Sequence, residues 1–252
     1  MALPRFEAHH TAVVTGAARG IGLGIATHLA KLGFALTITA RDAAVLDDVG
    51  RRLREAGAAD VLTVASEASD AEAVAAVVDA HAARYATLST LVLAAGVGSA
   101  GPITDYPLDR WDKQFAVNVR AAFVAVARAL PLLRQAARED VVHGARVIAL
   151  SSIGGVYPEP GLAAYGASKA ALISLCRSLN EEESAHGVSA TAISPAYVDT
   201  DMSAWIHDKV PAEEMIPVSD LVALVDALVT MSSRSVVPHL VMNRAGAGGY
   251  RA

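Results

Sequence analysis

Short β-branched runs alternate along the chain with longer helical stretches. Thr11–Thr15 (TAVVT) reads as a strand, followed by a glycine-punctuated helix over 20–32 that ends at Gly33. Ala35–Ala40 (ALTITA) predicts a second strand, and Ala43–Ala56 a helix with Gly57 as its C-terminal stop. Strands over 61–65, 90–94, 146–151 and 188–194 continue the pattern, with a last short one over 240–242. Helices are predicted for Ala71–Tyr85 and for residues 111–138, 162–186 and 218–231. Pro131 is the expected irregularity in the second of these, and Gly187 closes the third. The strands are continuous apolar runs without strict alternation, as strands buried on both faces require. Such strand–helix alternation implies right-handed crossovers and an α/β fold, a doubly wound parallel sheet with helices on both faces. Ligands then bind beyond the carboxyl ends of the strands, here Thr15, Ala40, Ala65, Ala94, Ser151 and Ser194.

Composition narrows the function. The chain has 252 residues, a net charge of −5, 53% apolar and 19% charged residues. A chain of this length buries roughly 70% of its unfolded surface and needs no disulfide or metal staple. The acidic balance argues against nucleic acid or an anionic membrane as partner. The most apolar stretch, residues 119–133, is broken by Arg120, Arg128 and Pro131, so no membrane span is expected. The single Cys176 points to a reducing compartment, and the opening MALPRFEAHH has no apolar signal core, so a cytoplasmic location is expected. The histidines are scattered, His9 and His10 are expected to be solvated, and no catalytic metal is expected.

The first strand runs into Thr15-Gly16-Ala17-Ala18-Arg19-Gly20-Ile21-Gly22. Glycines after a strand and before a helix let a diphosphate approach the backbone, while the helix N-terminus offers free N–H groups and a positive dipole end. The G-x-x-x-G-x-G spacing is looser than the standard dinucleotide fingerprint, so the trio alone is a weak signal. The end of the second strand discriminates between cofactors. An acidic residue there would accept from a ribose 2′-hydroxyl, and an arginine would pair with a 2′-phosphate. Arg41 follows Ala40, and Arg19 can approach from the glycine loop, so NADP is expected, with NAD the less favoured reading; Asp42 turned inward would favour NAD.

Tyr165 and Lys169 stand four apart on a predicted helix and so share one face, in a chain with only four lysines. A cation about 4 Å from a phenol, at an effective dielectric near 20, is worth about 4 kcal/mol. That suffices to bring a tyrosine from about 10 to near 7, where it can exchange a proton with a carbonyl or alcohol. Ser152 lies at the ligand edge and can bond the same substrate oxygen. Asn118, an amide within a long helix, can hold a backbone carbonyl or a water near Lys169.

Together these motifs make the sequence resemble the classical short-chain dehydrogenase/reductase family over nearly its whole length. The resemblance places the family's Asn-Ser-Tyr-Lys tetrad on Asn118, Ser152, Tyr165 and Lys169. It assigns cofactor contacts to Gly16, Arg19, Gly20, Ile21, Gly22, Arg41, Glu67, Ala68, Ala94 and Gly96, and to Tyr165 and Lys169 themselves. Ser194-Pro195-Ala196-Tyr197-Val198-Asp199-Thr200 resembles the segment that clasps the nicotinamide, which adds Pro195, Ala196, Val198 and Thr200. It implies a single Rossmann-like domain over 1–252. It also implies a homodimer or homotetramer, with dimers pairing the helices over 111–138 and 162–186. Four positions depart from the family pattern. Leu93-Ala94-Ala95-Gly96 lacks the usual amides, Glu67 replaces the adenine-contacting Asp, and Ala196 replaces a glycine. Asn243-Arg244-Ala245-Gly246 replaces Asp-Gly-Gly.

The resemblance implies reversible hydride transfer between NADP(H) and a ketone or secondary alcohol of a small-molecule substrate. In it Tyr165 is general acid/base, Ser152 polarises the oxygen, Lys169 tunes the tyrosine and binds the nicotinamide ribose, and Asn118 maintains a water relay. A catalytically idle NADP-binding sensor or scaffold is the alternative, motivated by the altered 93–94 and C-terminal positions. A serine hydrolase is a third class, since Gly166-Ala-Ser168-Lys-Ala170 superficially resembles a nucleophile elbow, but its last glycine is absent and its serine falls inside a helix. The substrate pocket is expected to be walled by Tyr157, Tyr197, Met202, Trp205 and Ile206, with a lid over about 200–217. No arginine falls between Arg177 and Arg234, which disfavours a carrier-protein-bound acyl substrate against a small free ketone or alcohol.

Overall fold

The structure is a computed structural model and describes residues 10–247. His9 and the chain ends therefore lie outside the described residues. The strands are β1 (Thr11–Thr15), β2 (Ala35–Ala40), β3 (Asp60–Ala65), β4 (Thr90–Leu93), β5 (Ala145–Leu150), β6 (Val188–Pro195) and β7 (His239–Met242). They form one parallel sheet in the order β3-β2-β1-β4-β5-β6-β7. The helices are α1 (Gly20–Lys31), α2 (Ala43–Ala56), α3 (Ala71–Tyr85), α4 (Leu108–Phe115), α5 (Ala121–Glu139), α6 (Ala163–Glu183) and α7 (Val218–Thr230).

Period two is present in the strands, but both phases are apolar. Ala12, Val14, Val92, Ile148 and Ile193 face the core beneath α1, α2 and α7. Their neighbours Val13, Leu91, Val147 and Ala192 face the core beneath α3, α5 and α6. The order reverses between β1 and β4, so the crevice of a doubly wound sheet opens at their carboxyl ends.

The long helix over 111–138 departs from its expectation. It starts at Leu108 and is irregular at Ala116–Arg120, a π-turn in which Ala121 N–H bonds the carbonyl of Ala116. Pro131 sits inside regular α5. By length and composition Leu108–Glu139 could cross a membrane. In this fold Ala121, Ala125, Ala129 and Leu133 instead join the core on the sheet. His10 also departs from its expectation. Its imidazole is mostly buried, 3.4 Å from the Asp140 carboxylate and against the Phe34 ring.

Candidate active site

A cleft runs along the crevice from the glycine loop to the first turn of α6. Its first part is lined by Gly16, Arg19, Gly20, Ile21, Gly22, Arg41, Glu67, Ala68, Ala94, Gly96, Asn118 and Thr200. Its second part, a cavity of about 350 Å³, shares Ile21, Ala94, Gly96 and Thr200 with the first and adds Ser152, Tyr165, Lys169, Pro195, Ala196, Tyr197, Val198 and Trp205. The expected cofactor and tetrad residues thus share one continuous space, although they come from separate loops and helices along the chain.

The glycine loop is compact because it has no side chains to accommodate. A Cβ on Gly22 would lie 2.3 Å from the carbonyl oxygen of Gly16, so α1 could not start against the turn with any larger residue. Arg19 precedes α1 without capping it, which leaves the first N–H groups of the helix facing the cleft. A dinucleotide fits here on an independent observation. Thr39 Oγ1 and Ser66 Oγ are buried, lack a hydrogen-bond partner among the described residues and line this part of the cleft. The sequence reading missed both, although each stands at or next to the carboxyl end of a strand.

The side chains that discriminate cofactors are sorted by their partners. Asp42 accepts from Val45 N–H at 3.1 Å and so caps α2, which removes it from the ribose position. Arg41 is exposed on the cleft. Arg19 is exposed too and meets Asp201 at 3.3 Å, joining the glycine loop to the segment after β6. The Glu67 carboxylate, at the cleft, accepts from the N–H and hydroxyl of Ser69.

The amides absent at 93–94 have a local substitute. Thr15 Oγ1 accepts from Ala94 N–H at 3.0 Å and Ala95 N–H at 3.1 Å, so β1 itself steadies the loop after β4. Asn118 steadies the next residue, accepting from Val97 N–H and donating to Val97 O, both at 2.9 Å. The π-turn widens the helix where this amide has to reach the loop. Asn118 also donates to Ser168 Oγ, which in turn donates to the carbonyl of Tyr165. Ser168 is fully buried within α6 and spends its hydroxyl on these bonds, which removes the hydrolase reading. Its link between Asn118 and Tyr165 was not foreseen from sequence.

Lys169 is buried, and its Nζ donates to Leu150 O at 2.8 Å. Gly96 is bare above it, where a Cβ would sit 3.3 Å from Lys169 Nζ and 3.4 Å from Asn118 Oδ1. The expectation that Lys169 draws the Tyr165 phenol toward 7 is not met in this geometry. The ammonium is 5.7 Å from the ring centroid, and burial pushes the phenol up while a hydrogen bond with Ser152 pulls it down. Burial also lowers Lys169 to about 8. The Ser152 hydroxyl accepts from Gly154 N–H at 3.2 Å, which leaves its proton for another partner.

Two expected wall residues lie elsewhere. Tyr157, two residues past the turn Ile153–Gly155, packs part-buried against the core beneath α1 and α7. Ile206 joins Val210 and Met215 in a small cluster of its own beneath Tyr197, and this cluster forms the interior of the predicted lid. Tyr197, Met202 and Trp205 do line the cavity.

With this geometry in hand, comparison with known proteins is direct. The family model described as short chain dehydrogenase matches residues 10–211. An uncharacterized oxidoreductase of Staphylococcus epidermidis is 33% identical over 195 residues, covering 76% of this chain and 79% of that protein. A 2-(R)-hydroxypropyl-CoM dehydrogenase of Xanthobacter autotrophicus is 31% identical over 202 residues, 79% of this chain and 78% of its own. Among solved structures, the RhlG/NADP active-site complex of Pseudomonas aeruginosa superposes with a TM-score of 0.85 at 30% identity, over 98% of this chain and 99% of that one.

Proposed function

The chain belongs to the short-chain dehydrogenase family of NAD(P)-dependent oxidoreductases, and from that premise we propose that it interconverts a ketone and a secondary alcohol with NADP(H). The observation that carries this reading is the common cavity that Ser152, Tyr165 and Lys169 share with Ile21, Ala94 and Gly96 of the cofactor cleft. When bound, NADP(H) supplies or accepts a hydride.

The chain's own residues do the rest. The Tyr165 hydroxyl gives its proton to the carbonyl oxygen in reduction and takes it back in oxidation. The Ser152 hydroxyl, hydrogen-bonded to Tyr165 and held by Gly154 N–H, donates to the same oxygen once substrate is bound and stabilises the charge that develops there. The buried Lys169 ammonium opposes, without cancelling, the rise that burial gives the phenol, and it holds the nicotinamide ribose. Asn118 keeps the loop after β4 in place, and the bare Gly96 leaves a path between Asn118 and Lys169 for a water relay.

NADP over NAD is supported by Arg41 exposed on the cleft, by Arg19 beside it and by Asp42 committed to capping α2. The NADP complex of the Pseudomonas aeruginosa relative points the same way. We place the enzyme in the cytoplasm as a homodimer or homotetramer of single-domain subunits acting on a free small molecule. The test is a panel of ketones and 3-oxoacyl thioesters run with NADPH and with NADH, followed by loss of reduced-cofactor absorbance. Turnover of ketones with NADPH preferred is the expected result, and absence of turnover on the whole panel overturns the reading.

A further inference from the structure

Glu159 is the only carboxylate among the described residues that line the substrate cavity. It is half-buried, and no ion pair or side-chain hydrogen bond holds it among the described residues. Such a group in an apolar wall is costly unless something neutralises it. Among the described residues, Lys169 and Arg19 are engaged elsewhere. Lys169, the other charged residue lining the cavity, donates to Leu150 O two turns along α6. Arg244 does not line the cavity; it lies 3.9 Å from Glu214, its Nε finds no hydrogen-bond partner among the described residues, and its positive charge acts on Tyr197 against that of Glu159. Arg19 is paired with Asp201 in the cofactor cleft.

The surroundings of Glu159 suit a cation. Tyr197 and Trp205 meet edge to face, with ring centroids 6.1 Å apart at 78°, and both line the same cavity. Burial raises the Tyr197 phenol, the negative charge of Glu159 raises it further, and the Arg244 guanidinium opposes them. A carboxylate beside aromatic faces is the combination that holds an ammonium group, by charge on one side and by the ring quadrupole on the other. Glu159 stands four residues before α6 and Tyr165 in its first turn, and both line the same cavity.

We propose that the substrate is an amino ketone or amino alcohol whose ammonium group is held by Glu159 against Tyr197 and Trp205. This rests on the carbonyl-reduction reading above. The same carboxylate repels substrates that carry a carboxylate or phosphate.

The test uses three ketones on one skeleton, ending in trimethylammonium, in the isosteric tert-butyl group or in carboxylate. Each is measured for kcat/KM with NADPH and for binding to the NADPH-loaded protein by cofactor fluorescence. The expected order is ammonium over tert-butyl over carboxylate, by about tenfold at each step. Glu159→Gln should bring the ammonium to tert-butyl ratio to about one, and Glu159→Lys should invert the order, in both readouts. Equal use of the ammonium and tert-butyl ketones overturns the proposal, as does a preference that survives Glu159→Gln, and either result leaves carbonyl reduction standing. Binding in the expected order without turnover of any ketone supports the cation site and overturns the reductase reading instead. Failure of all three to bind or turn over overturns both.

Discussion

A tyrosine is a poor base at neutral pH, and in this site burial makes it poorer. The Tyr165 phenol lies above its ordinary value, so the phenolate needed for alcohol oxidation is scarce at pH 7, while the phenol needed for reduction is abundant. Oxidation should therefore accelerate about tenfold per pH unit below the Tyr165 pKa, and reduction should lack that rise. Parallel pH–kcat profiles in the two directions check this. Tyr165→Phe should lower kcat by about 10²–10⁴-fold, with NADPH binding read separately by fluorescence titration. The arginines act at the same scale. Arg41→Ala should reduce the NADPH to NADH ratio of kcat/KM by about tenfold or more, because a charge-assisted contact to phosphate is lost on one cofactor only. Unchanged cofactor preference in the Arg19→Ala/Arg41→Ala double variant would remove these residues from phosphate recognition.

Between elements, the site depends on two polar clasps on the loop after β4. Thr15 holds it from β1 and Asn118 from the π-turn. Thr15→Val keeps the shape but leaves the N–H groups of Ala94 and Ala95 without their acceptor. That should cost about 1–3 kcal/mol and lower Tm by a few degrees, and it should weaken NADPH binding because Ala94 lines both parts of the cleft. Differential scanning calorimetry with and without NADPH separates the two effects. Asn118 was legible in the sequence as a buried amide in a helix. The π-turn that lets it reach Val97 was not, because Pro131 is the conspicuous breaker in that helix and the chain tolerates it within regular α5. Thr15 was read as the end of a strand, and its hydroxyl gained a task only when the loop after β4 was packed beside it.

At the scale of the whole molecule, His81 reports on the sheet's intactness under acid. It is fully buried, receives a bond from Thr37 Oγ1 at 2.8 Å and meets Thr87 O at 2.9 Å, and burial lowers it to about 4. The unfolded chain binds this proton from about 6.5 downward and the folded chain only near 4. Stability from this group is therefore fully present above pH 6.5 and is lost as the pH falls toward 4, by about 3 kcal/mol. Urea midpoints between pH 7 and 4 should fall more steeply for the native protein than for His81→Gln. Assembly belongs to this scale as well. Phe123 on α5 is more than half exposed, and Trp111, stacked on Phe115 at 4.4 Å, lies on α4 beside it. If the long helix pairs between subunits, Phe123→Lys should shift the protein toward monomer in sedimentation velocity.

What the sequence determined by itself is whatever depends on local chemistry and on neighbours near in the chain. β1, β2, α2 and α3 have the expected bounds because apolar runs, Asp42 and Asp70 at helix starts and Gly57 at a helix end act within a few residues. The Tyr165–Lys169 pair was visible because four residues make one helical turn. Tertiary structure decided what depends on residues distant in sequence. It packed Tyr157 against the core and left Thr39, Ser66 and Glu159 facing open space. It also set the balance at Tyr165, since a phenol's proton affinity reflects the burial and charge around it, and those are fixed only when β5, β6 and α6 close on one another.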